Sequence, residues 1–168
     1  MELPGSNYLL TVAVISITFV AFSTIVVVFR QSQGAGLTIY ENILLRMYLV
    51  SGLIATIFSL IPPLMGLFDI PPVWVWRVSS IAFALVMIWR GIYFRRRQLR
   101  FDRRWLTEFL YVIYALVILG LLINALGIFI EPGAGLYALA ATWMLVNAIL
   151  VFILALHRFL GPLEKDQS

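Results

Sequence analysis

Residues 9–29 read LLTVAVISITFVAFSTIVVVF, twenty-one consecutive positions without a charge. A helix rises about 1.5 Å per residue, so roughly 20 apolar residues cross a hydrocarbon core about 30 Å thick. This run is long enough to do so. The octet before it, MELPGSNY, carries no basic residue, and Arg30 follows the run instead of preceding it. Both features favour a retained spanning helix over a signal peptide.

Four more stretches of the 168-residue chain have the same character, and together they predict an all-α integral membrane protein with a bundle of five transmembrane helices. The expected helices cover about 9–29, 43–68, 73–94, 106–130 and 134–157 of a single domain, 1–168. The composition agrees, because 62% of residues are hydrophobic and only 12% are charged. A soluble domain is nearer a quarter charged, so too few charges are present here to coat a soluble surface.

The charges that remain are unevenly placed. Residues 90–104, RGIYFRRRQLRFDRR, hold Arg90, Arg95, Arg96, Arg97, Arg100, Arg103 and Arg104. With the N-terminus outside and the C-terminus cytoplasmic, eleven of the twelve basic residues lie on the inner side, and only Arg77 lies outside. The positive-inside rule selects this orientation. Trp74 and Trp76 then mark the outer interface, and Trp89 and Trp105 the inner one. Alone, the arginine run resembles a nucleic-acid grip. It joins two spanning helices, however, and has little reach for presenting a helix or ribbon to a duplex. The expected partners are anionic lipid headgroups, at about 1 kcal/mol per basic residue, and no nucleic acid. Arg77 and Arg90 sit about one turn inside the ends of helix 3, where long side chains are expected to snorkel to headgroups. Arginine outnumbers lysine eleven to one, a usage that fits a GC-rich bacterial genome and hence a bacterial inner (plasma) membrane.

Helix–helix contact is written into two patterns of small residues. Ala134, Ala141, Ala148 and Ala155 recur every seven residues in helix 5, and Ser51, Ala55 and Ser59 recur every four in helix 2. Small residues let membrane helices approach closely, either within one chain or in a homo-oligomer or a complex with another membrane protein. Thr38 and Glu41 have the spacing of a capping box opening helix 2. Pro62 and Pro63 either break helix 2, freeing carbonyls toward a polar cavity, or end it near Leu60 ahead of an interfacial turn.

The deepest strongly polar side chains are Asn124 and Asn147. An amide in hydrocarbon needs a protein partner. Counted from the hairpin at 131–135, the two differ by about five residues, roughly 8 Å, so they are not expected to pair with each other. Tyr111, Tyr114, Thr142, Ser79 and Ser80 are the candidate partners.

Catalytic signatures do not emerge. The absence of cysteine excludes disulfides, thiolate metal sites and cysteine nucleophiles. The single histidine, His157, cannot supply a two-histidine haem or a zinc site within one chain. No acid or lysine falls near the middle of a span, which argues against a proton relay. No metal or cofactor is expected. The expected function is that of a non-catalytic membrane component, an accessory or assembly subunit. The alternative is a small oligomeric channel or facilitator for an ion or small solute.

Overall fold

The computed structural model describes residues 3–32, 39–96, 104–128 and 131–159, with side chains except at 30, 39–41, 44, 94–96, 104–107 and 157–159. These residues form five helices: α1 (Ser6–Ser32), α2 (Ile39–Gly66), α3 (Pro72–Arg96), α4 (Arg104–Leu126) and α5 (Ala134–Phe159). All five are long and apolar enough to cross a membrane. The bundle also exposes large apolar side chains over its outer surface, among them Phe22, Leu85, Leu116 and Leu139. That is the make-up of a multi-pass membrane protein, because a soluble surface of this size would carry far more charge.

Two helix ends depart from expectation. Helix α4 stops at Leu126, four residues short of the expected 130, although Ile128 and its neighbours are apolar. Gly127 adopts φ 68°, and its N–H bonds Ile123 O at 3.0 Å. This left-handed cap satisfies an end carbonyl and turns the chain out of the helix. Helix α2, by contrast, runs through Pro62 and Pro63 to Gly66. The doubled proline neither breaks α2 nor ends it near Leu60. The turn that follows is only 67–71, with Asp69 at φ 54°. Pro72 then opens α3, where a missing N–H costs nothing.

Helices α2, α3, α4 and α5 close a ring in which each packs on the next, and α1 lies along the groove between α2 and α5. The α4–α5 turn marks one end of the bundle, here the hairpin end. The α3–α4 connection marks the other, the arginine end. Aromatic side chains fill the ring near the hairpin end. Phe58 stacks on Phe83 at 4.5 Å, and Tyr137 leans on both Phe83 and Trp76 at 5.6 and 5.7 Å. Trp76 is therefore a core residue and not the interfacial marker expected, whereas Trp74 and Trp89 are exposed. Toward the arginine end, Phe19, Tyr48 and Phe152 meet edge to face and tie α1, α2 and α5 together.

Helices α1 and α2 approach closely at Gly52. A Cβ on Gly52 would overlap the Val20 side chain, whereas a Cβ on Gly135 would meet nothing within 4 Å. Gly52→Leu forces these helices apart and should cost about 1–3 kcal/mol, as overpacking does. Gly135→Ala should stay within about 0.5 kcal/mol of the parent. Detergent-induced unfolding of the two variants checks the contrast, and equal midpoints would remove Gly52 from the seam.

Candidate polar intramembrane site

Among the polar contacts that join helices in the described residues, three nodes each answer a local problem of the apolar bundle. The first lies toward the hairpin end. Asn124, near the end of α4, is almost fully buried. Its Nδ2 donates to Ser80 Oγ at 2.9 Å and to Gly133 O at 3.1 Å, and its Oδ1 accepts from Gly133 N at 3.0 Å. The side-chain amide thus pairs with a peptide group of the hairpin as another peptide would. One residue holds α3, α4 and the start of α5 in register.

The second node carries α2 through its prolines. Pro62 has no N–H for Phe58 O, and Pro63 none for Ser59 O. The Tyr137 hydroxyl, fully buried on α5, donates to Phe58 O at 2.6 Å and takes the place of the missing donor. The Ser59 hydroxyl is also buried and has no partner among the described residues.

The third node lies toward the arginine end. Arg90 is 3% exposed. Its guanidinium does not snorkel outward. One nitrogen donates to Met47 O at 2.9 Å and to the Ser51 hydroxyl. Ser51 in turn donates to Met47 O at 2.8 Å and accepts a long bond from Asn147 Nδ2 at 3.4 Å. Helices α2, α3 and α5 meet at this serine. The Tyr114 ring on α4 packs close to Gly91, beside the node.

Asn124 and Asn147 therefore belong to separate nodes. Ser51, Ala55, Ser59, Ala141, Ala148 and Ala155 are buried within the single chain, on helices that pack directly together. Ala134 is half-buried and lies where a Cβ on Gly5 would come within 2.6 Å. Arg77 lies over the Trp74 ring, 5.6 Å from its centroid. The side chains of Arg95, Arg96, Arg97, Arg100, Arg103 and Arg104 lie outside the described residues, as do those of Thr38, Glu41, Trp105 and His157.

Surface grooves are also present among the described residues. One, of about 400 Å³, lies between the start of α1 and the end of α2, and includes Leu3, Leu10, Pro63 and Gly66. Another, of about 550 Å³, runs along α5 past Ala138 and Trp143, where Tyr8 and Thr142 share a 2.7 Å hydrogen bond. Among the described residues no three His, Cys, Asp or Glu side chains form a group able to hold a metal ion.

The chain matches no protein-family model, no curated protein and no solved structure. The polar nodes are therefore the basis for a functional reading. Sequence reasoning named Asn124 and Ser80, but it missed Tyr137 and the inward turn of Arg90. Both had a periodic signal. Tyr137 shares the face of Ala141, Met144 and Ala148, and Arg90 that of Trp76, Phe83 and Met87, at spacings of three and four.

Proposed function

We propose that this protein is a non-catalytic multi-pass component of a bacterial inner membrane, N-terminus outside and C-terminus cytoplasmic. It acts as an accessory or assembly subunit, by itself or with another membrane protein, and the arginines of residues 90–104 hold anionic headgroups. The observation that carries this reading is how the intramembrane polar groups are used. Asn124, Tyr137, Ser51 and Arg90 bond across helix interfaces to one another, to the Ser80 hydroxyl or to backbone carbonyls. Side chains engaged in this way hold helices together and are not free to pass a solute.

Two measurements test it. Purified protein in anionic-lipid vesicles should show no flux of ions or small solutes above that of empty vesicles, and gentle detergent extraction should recover it with a stoichiometric membrane partner or with a second copy. Selective flux would instead establish the channel alternative. Orientation has its own test. Neutralising Arg95, Arg96, Arg97 and Arg100 together should produce a measurable share of inverted chains in reporter-fusion mapping, since each contributes about 1 kcal/mol at an anionic leaflet. An unchanged topology would remove these arginines as its determinant.

A further inference from the structure

We propose that α2 is hinged at Pro62–Pro63 and that the Tyr137 hydroxyl is the latch that holds the hinge closed. Two adjacent prolines remove two consecutive helical hydrogen bonds, those to Phe58 O and Ser59 O, at one level of α2. A helix that loses its bonds on one side bends there. Among the described residues only the first of the two carbonyls receives a substitute donor from another helix, at 2.6 Å from Tyr137. The tyrosine is held in position by its own packing. Its ring leans on Phe83, which in turn stacks on Phe58, the residue whose carbonyl it holds. On the residue that carries the second carbonyl, the Ser59 hydroxyl is also buried with no partner among the described residues.

Beyond the prolines, α2 has a single remaining turn, and the residues that follow, Leu67 and Phe68, are both exposed. This terminal turn also forms one wall of the 400 Å³ groove, through Pro63 and Gly66. The opposite wall is the segment leading into α1, where Leu3 is buried against Gly66. Rotation at the hinge shifts Pro63 and Gly66 relative to Leu3 and Leu10, and so changes the width of the groove. In this arrangement α5, through one hydroxyl, sets the state of a surface formed by α1 and α2.

The chain contains no cysteine, so a pair of introduced cysteines can be spin-labelled without background. Leu67→Cys reports the terminal turn. Leu126→Cys, exposed at the end of α4, reports a helix that does not pack on α2 among the described residues. In full-length protein in lipid nanodiscs, the parent pair should give one narrow distance population. Tyr137→Phe keeps the ring and removes the hydroxyl, and should at least double the width or add a second population. Pro62→Ala restores an N–H for Phe58 O, so Tyr137→Phe with Pro62→Ala should return to the narrow distribution. The proposal is overturned if Tyr137→Phe leaves the distribution unchanged. It is also overturned if adding Pro62→Ala fails to narrow it, since the hydroxyl would then act by something other than its bond to Phe58 O. If Tyr137→Phe does not fold, rescue of folding by Pro62→Ala supports the latch, and failure to rescue overturns it.

Discussion

Asn124→Ala is expected to lower the stability of the folded bundle by about 3 kcal/mol, the sum of three lost partnerships at roughly 1 kcal/mol each. The Ser80 hydroxyl and both backbone groups of Gly133 lose the amide that now satisfies them. Gly133 is half-buried at the hairpin, where water can replace part of what it loses, and this keeps the estimate at the low end of about 1–3 kcal/mol per orphaned group. Ser80→Ala removes one of the three bonds and should cost about 1 kcal/mol. Asn124→Asp is the sharper control. A carboxylate can accept from Gly133 N and from a rotated Ser80 hydroxyl, but it sets an oxygen against Gly133 O and buries a charge at a nearly inaccessible position, so it should fare no better than alanine. Unfolding of the three variants in mixed detergent micelles reads these values. Equal losses for Ser80→Ala and Asn124→Ala would mean that the hairpin bonds contribute nothing.

The weight placed on single hydrogen bonds follows from the solvent. Between helices already in hydrocarbon, burial of apolar area gives little drive, and packing together with polar contacts decides which helices associate. The exposed apolar side chains spread over this surface are the counterpart, since lipid tails would accept them as readily as protein. Close approach then matters most where a helix backbone leaves no room for a Cβ, as at Gly52 against the Val20 side chain.

The sequence is most legible where one residue type repeats. The charge-free run at 9–29 and its four counterparts specify helices because length and apolarity are local properties, and α1 indeed covers that run. It is least legible where a distant residue intervenes. The prolines of α2 would stop a helix on local rules, yet α2 continues, and a tyrosine 79 positions away supplies Phe58 O with a hydrogen bond. Hydropathy also cannot see a backbone dihedral, so the apolar residues after Gly127 concealed the end of α4. Asn124 was legible because a buried amide must find a partner. That its main partner is a hairpin peptide group was not, since any backbone presents the same pair of atoms to a sequence reader. Arg90 marks a different failure. Proximity to a helix end suggested snorkelling, whereas its position one turn after Met87 and two after Phe83 places it on the buried face of α3.

That inward arginine supports the second large effect, which is best measured as a coupling. Ser51→Ala removes an acceptor from a buried guanidinium, and hydrogen bonds to charged groups are worth about 1.5–3 kcal/mol against about 1 for neutral pairs. The single variant should therefore cost about 2 kcal/mol. Arg90→Met keeps much of the length of the side chain and discards both the charge and its desolvation penalty, so its own effect is the small difference of two large terms and is not the informative number. In the Arg90→Met background the Ser51 hydroxyl retains only Met47 O and the long bond from Asn147, and its removal should cost about 0.5 kcal/mol. The expected coupling is thus about 1.5 kcal/mol, well outside the additivity seen for independent sites, about 0.3–0.5 kcal/mol. Had Arg90 reached outward to headgroups, Ser51→Ala would cost the same in both backgrounds, and the loss would appear in anionic-lipid binding instead. Arg90→Lys separates charge from shape. A lysine ammonium is a more strongly hydrated point charge on a differently shaped stem and does not place a nitrogen where one guanidinium nitrogen now donates to both Met47 O and Ser51, so lysine should lose most of the coupling while keeping the charge.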